Sequence, residues 1–289
     1  MVELPVVEIL TGLSLGSRLF LVALGLSLIF GVLGVLNFAH GALYMVGAYV
    51  TISVVQSVVG NFWVAAVLAG VGVGLVGVAM EVGFIRRIYE RDQLDQLILT
   101  FAFVLIISDL TRIVWGSQSY TLDPPASLNN TVQIAGASFL TYRLFVIVAG
   151  IVAMAAFWYV LQRTFVGSLI RATSSDRQMS QLLGTNVSRL YTGVFALGSV
   201  IAGIGGALAA PLQAVTPGVG DQVIISAFVV VVIGGLGSFT GAFIGAMAIG
   251  LIQSFGTMWV RGADLFLPFV AMIIVLIFRP EGLFGEEGQ

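Results

Sequence analysis

The chain has no cysteine and no lysine: all twelve of its basic residues are arginine, and His40 is its single histidine. Without cysteine there are no disulfides and no thiolate metal sites. Without lysine there is no glycine-rich phosphate loop of the kind that closes on Lys-Ser or Lys-Thr, so nucleotide chemistry has to come from another chain. Charge is scarce as well. Only 9% of the 289 residues are charged, against 58% hydrophobic, and mean hydropathy is +1.08. A soluble domain carries roughly 25% charged residues, so most of this surface faces lipid. The balance of −2 argues against nucleic acid as a partner. The first eight residues hold Glu3 and Glu8 and no base, so no cleavable leader is expected.

What the sequence does have is long apolar runs. A spanning helix needs about 20 mostly apolar residues. Suitable stretches are 19–39, with a helix start near Thr11, then 41–80, 97–115, 144–161, 190–212, 223–260 and 265–278. The second is long enough for two passes separated at Gly60 and Asn61, and 223–260 for two separated at the glycine-rich 234–241. The last run is short and contains Pro268. The expected fold is all-α: a polytopic transmembrane bundle of eight or nine segments, forming one transmembrane domain over 1–289.

Arginine placement orients the chain. Arg86, Arg87, Arg91, Arg163, Arg171, Arg177, Arg189 and Arg279 fall on one face if the passes alternate, leaving Arg18, Arg112, Arg143 and Arg261 near the other. The arginine-rich face is expected to be cytoplasmic. The N-terminus then lies outside the cell membrane and the C-terminus inside. The polar connection 117–141, which has no arginine, is extracytoplasmic. Asp109 and Arg112, three residues apart, are expected to pair and anchor the outer end of their span.

Glycine, with 36 residues, is placed with purpose. Gly237, Gly241 and Gly245 recur at every fourth position, as do Gly12 with Gly16 and Gly70 with Gly74, a spacing that lets helices approach closely in lipid. Two stretches go beyond packing. Asn37, Phe38, His40 and Gly41 interrupt one apolar run; Gly234, Gly235, Gly237, Ser238 and Gly241 interrupt another. Small residues follow both, so 11–85 and 223–279 read as a weak internal repeat with a broken helix in each half. Paired interruptions point to a transport pathway. For His40 two readings stand open: a buried imidazole bonded to a carbonyl, or a residue that fixes the break or lines the path.

The connection 163–189 reads as a docking device. A short helix within 174–184, capped by Ser174 or Ser175 and opening with Asp176, ends at Gly184 and presents Met179, Leu182 and Leu183 on one face. Its polar side has mixed charge, unlike a helix lying on anionic lipid. That favours a cytoplasmic partner over the bilayer surface.

Three blocks, in order and at matching separations, carry a resemblance over nearly the whole chain. The first joins Gly25 and Gly31 to Asn37, Phe38, Ala39, His40 and Gly41, then Gly47, Ala48 and Tyr49. The second joins Arg171, Ala172, Asp176, Met179, Leu182, Leu183, Gly184 and Asn186. The third joins Gly234, Gly235, Gly237, Ser238, Gly241 and Gly245 to the tail Arg279, Pro280, Glu281, Gly282 and Leu283. The chain resembles the LivH-type permeases of branched-chain amino acid ABC importers. The resemblance implies a non-catalytic permease subunit for leucine, isoleucine, valine or related small amino acids. It also implies a second, LivM-type permease, two cytoplasmic ATP-binding subunits that hold ATP and magnesium, and an extracytoplasmic substrate-binding protein. Arg171, Asp176, Leu182, Leu183 and Gly184 would meet the ATPase. The chain departs from the pattern at Ser180, usually alanine, at Thr185, usually apolar, and at Ala42, where an acid often stands.

Related permeases also move urea and short amides, and a secondary transporter working alone would equally suit broken helices. The latter calls for ion-coupling charges at depth, which these runs largely lack. An intramembrane serine protease would need His40 to face a strained serine, and the nearest candidates, Ser27 and Ser53, sit in ordinary helical sequence.

Overall fold

The computed structural model describes residues 3–134, 136–259 and 262–285. Arg261 falls outside them. Six helices are long and apolar enough to cross a bilayer: α1 (Glu3–Leu33), α3 (Phe62–Gly83), α4 (Gln93–Trp115), α5 (Thr141–Arg163), α8 (Val187–Ala209) and α10 (Phe239–Trp259). Three further apolar helices stand among them: α2 (Ala39–Ser57), α9 (Val219–Gly234) and α11 (Ala263–Phe278). Two short helices, α6 (Phe165–Ser175) and α7 (Arg177–Leu182), fill the connection between α5 and α8. The bundle is all-α apart from a hairpin in the 117–141 connection, where β1 (Thr131–Ile134) pairs antiparallel with β2 (Ala137–Leu140).

Local chemistry sets several boundaries. Gly60, at φ +65°, ends the turn after α2. The Asn61 carboxamide then accepts the Trp63 and Val64 amides at 2.9 and 3.3 Å, covering donors that the first turn of α3 would leave unpaired. Gly116, at φ +82°, closes α4, and the Asn186 side chain caps α8 through the Arg189 amide. Pro268 lies inside α11, as its run anticipates.

The core is built around α1, packed lengthwise against α10 and crossed by α8, α9 and α5. Small residues make this possible. A methyl at Gly16 would lie 2.9 Å from the Met247 Cα, and one at Gly12 would lie 2.8 Å from the Leu251 Cα. Gly70 and Gly74 likewise seat Ile204 and Val200 of α8 against α3. The expected stripe of Gly237, Gly241 and Gly245 needs correcting. Gly237 adopts φ +85° and belongs to the turn before α10, so only Gly241 and Gly245 lie on the helix, where they face Gly234 and Val230 of α9. Among the described residues, no three His, Cys, Asp or Glu side chains cluster as a metal site would require.

Candidate functional site

The first interruption folds as a return into the bundle. Helix α1 ends at Leu33, and Gly34, at φ +69°, turns the chain. Residues 34–37 run without helical structure until α2 begins at Ala39. His40 then sits level with Gly25, where a methyl would come within 2.7 Å of the imidazole. Gly25 lies eight residues before the end of α1, so α2 starts about 12 Å back from that end. The Thr100 hydroxyl of α4 donates to the Leu36 carbonyl at 3.2 Å, satisfying one backbone group of the irregular stretch. Irregular backbone at membrane depth is tolerated only where protein or a water-filled cavity borders it.

At this depth the start of α2 meets the start of α9. A methyl at Gly220 would lie 2.9 Å from the Gly41 carbonyl carbon and 3.2 Å from the Ala42 Cα; one at Gly41 would strike the Gly220 carbonyl. Asn37 and His40 are fully buried beside this crossing, and none of their side-chain polar atoms makes a well-formed hydrogen bond. Buried polar groups are nearly always partnered, so these two stand out in the apolar bundle, the His40 imidazole having the Val22 backbone of α1 as a polar contact. Phe38 stacks against Phe228 of α9 at 6.1 Å.

The second interruption is built differently. Gly234 packs against Gly241 across a four-residue turn in which Gly235 and Gly237 take positive φ. The tail then folds onto it: the Leu283 and Phe284 amides donate to the Ile233 and Gly234 carbonyls at 2.8 and 3.0 Å. Ser238 caps the new helix by accepting the Gly241 amide at 3.1 Å. Gly237 touches Gly31 of α1, six residues beyond the level of His40. The two interruptions therefore share the α1–α9 seam, but the second closes the far end of α9 while the first opens beside its start.

Next to the α2–α9 crossing lies a cavity of about 420 Å³, whose lining includes Arg18, Tyr44, Gln213, Gln222, Ser226 and Gln253. Arg18 donates to the Gln213 carboxamide at 3.3 Å, and Gln213 donates onward to the Tyr44 hydroxyl at 3.1 Å. The Arg18 Nε is buried without a partner. Sequence reasoning sets Arg18 near the outer face and passes over Tyr44, Gln213 and Gln222. A lone arginine in an apolar run is the signal that would have found them.

On the arginine-rich side, the docking connection forms α6 and α7. Asp176 itself is the cap of α7, accepting the Met179 amide at 2.8 Å, while Ser174 and Ser175 complete α6; the expected serine cap moves by one or two residues because a carboxylate is available. Gly184 follows at φ +89°. Met179, Leu182 and Leu183 are exposed, the last two about four-fifths so, and Arg171 is exposed on α6. Behind α7, Arg177 lies over the Tyr191 ring at 5.6 Å and pairs with Glu90 at 3.6 Å. The end of α3 is fixed to α8 by Glu81, which is fully buried and accepts from Arg86, Tyr89 and Thr192 at 3.0, 2.9 and 2.8 Å. On the opposite side Asp109 and Arg112 pair at 3.1 Å, both exposed.

Residues 8–277 match the family model of the branched-chain amino acid transport system permease component. The chain belongs to that family. LivH of Salmonella typhimurium, named a high-affinity branched-chain amino acid transport system permease, is 27% identical across 96% of this chain and 95% of its own. BraD of Pseudomonas aeruginosa, named likewise, shows the same identity and coverage. Among solved structures, PsaBC from Streptococcus pneumoniae in complex with a Fab shares the fold at a TM-score of 0.50, with 14% identity over 94% of this chain and 91% of that one. As a family member with six spanning-length apolar helices, this permease is a multi-pass membrane protein.

Proposed function

We propose that this chain is the membrane-spanning permease subunit of an ATP-driven importer for branched-chain or related small amino acids. Family membership across residues 8–277 carries the reading. All nine apolar helices serve as membrane segments, with the N-terminus outside and the C-terminus in the cytoplasm. The chain pairs with a second, LivM-type permease, receives substrate from an extracytoplasmic binding protein and is driven by two ATP-binding subunits. ATP and magnesium are bound there and not here. The exposed apolar face of Met179, Leu182 and Leu183, flanked by Arg171, Asp176 and Gly184, receives the ATPase. Its motion reaches α8, and the helix starts at Gly41 and Gly220 rock to open the path alternately to each side. Asn37, Phe38 and His40 border that path, and the glycine turn 234–241 is its inner hinge.

The test is purification of the solubilised chain from its native host, wild type beside Leu183→Glu. Co-purification of an ATPase and a second permease, lost in the variant, supports the reading. A chain that purifies alone and moves leucine into vesicles without ATP would sink it in favour of a stand-alone secondary transporter.

A further inference from the structure

We propose that Arg18 anchors the carboxylate of the transported amino acid, within the cavity beside the α2–α9 crossing. The inference rests on the importer reading above and adds where this chain holds its cargo and by which end.

Three observations converge on it. First, among the described residues no carboxylate lies within ion-pair distance of Arg18, whereas Arg86, Arg91, Arg112 and Arg177 each have one. A guanidinium at membrane depth is costly unless paired, and its charge marks a functional site by default. Second, Arg18 is held in place without being neutralised. Gln213 takes one donor and Tyr44 fixes Gln213, while among the described residues the enclosed Nε meets no acceptor. A carboxylate in the cavity would meet the guanidinium end that Gln213 occupies only in part, and water there would satisfy a hydrogen bond but not the charge. Third, the cavity lining is mixed. Arg18 and the carboxamides of Gln213 and Gln222 supply its polar groups, and Leu15, Leu19, Val229 and Phe269 supply apolar surface. Its volume of about 420 Å³ is that of a small-molecule site. An α-amino acid with an aliphatic side chain matches this composition: carboxylate on Arg18, ammonium on neutral carboxamide oxygens, hydrocarbon against the leucines.

The measurement is thermal unfolding of the whole transporter complex in detergent, without the binding protein, titrated with L-leucine, L-isoleucine or L-leucinamide. Wild type is expected to be stabilised by the two amino acids and at least about tenfold less effectively by the amide, which lacks the anion. In Arg18→Gln the amino acids should fall to the level of the amide, while a merely structural loss would weaken all three alike. Equal response of wild type to leucine and leucinamide overturns the inference, and needs no variant to fold. So does tenfold discrimination that survives in Arg18→Gln, or no response to any probe. ATP-driven leucine uptake, measured in parallel, separates the two failures. If uptake persists with no carboxylate preference in the permease, only the Arg18 assignment falls; if no amino acid is taken up, the importer reading falls with it.

Discussion

Gly41 and Gly220 lie backbone to backbone where α2 and α9 begin, and neither position has room for a side chain. Replacing Gly41 by valine adds three carbons against the Gly220 carbonyl and the Ile224 Cβ, which lies 2.7 Å from the site of the first of them. Overpacking of this kind costs about 1–3 kcal/mol and forces the helix starts apart. Gly41→Val should therefore abolish uptake while the complex still assembles. Gly72, where an added methyl would meet nothing within 4 Å, is the control: Gly72→Ala should leave uptake intact and raise helix stability by about 0.5–1 kcal/mol.

The Glu81 cluster predicts a large cost for losing one partner and a smaller one for losing both. Arg86→Met leaves a fully buried carboxylate with two hydroxyl donors, and should destabilise by about 2 kcal/mol in thermal unfolding. Glu81→Gln in the same chain should recover some of that loss. Additive effects of the two substitutions would show that the pair is not coupled.

Tyr89 makes the same cluster sensitive to alkali. Burial, reinforced by the nearby Glu81 charge, pushes its phenol well above the ordinary tyrosine value. The folded protein therefore keeps a proton that the unfolded chain releases, and stability falls as pH rises beyond the ordinary tyrosine range. Tyr89→Phe should flatten this alkaline loss relative to wild type, read as the slope of Tm against pH between about 9 and 11.

Helix α7 has only six residues and depends on its cap. Asp176→Ala should cost about 1 kcal/mol, confined to this turn, whereas Asp176→Asn keeps an acceptor and should cost much less. Hydrogen exchange of the amides from Met179 to Leu183 is the readout. Faster exchange in the alanine variant with unchanged global Tm is expected, and equal exchange in all three proteins would remove Asp176 from that role.

Features written in a few adjacent residues are legible before any fold is known. Gly60 and Asn61 separate α2 from α3 because left-handed backbone and a short carboxamide act locally. The pairing of Asp109 with Arg112 follows from helical spacing alone, as does the shared exposure of Met179, Leu182 and Leu183. The crossing at Gly41 is half visible: the break before it can be read, but nothing near Gly220 distinguishes it from other glycines. The Arg18 relay is hidden because its members lie 195 and 169 residues apart along the chain. Only the tertiary crossing of α1, α2 and the segment after α8 assembles it. Gly237 is misplaced by pattern alone because a four-residue glycine period looks the same in a helix and in a turn that precedes one.

Helix α9, at 16 residues, is about 24 Å long, short of the roughly 30 Å of a bilayer core. It starts beside a buried helix end and is preceded by a polar stretch, so it is a poor unit for independent entry into lipid. Its natural partner for insertion is α10, joined to it by the turn of Gly235 and Gly237 and closed on it by Gly234 and Gly241. Under the nine-segment reading proposed above, the glycine turn bears on biogenesis as well as on the finished protein: the two helices are expected to enter the membrane as one hairpin, so that a substitution that stiffens the turn is felt while the chain is still being made.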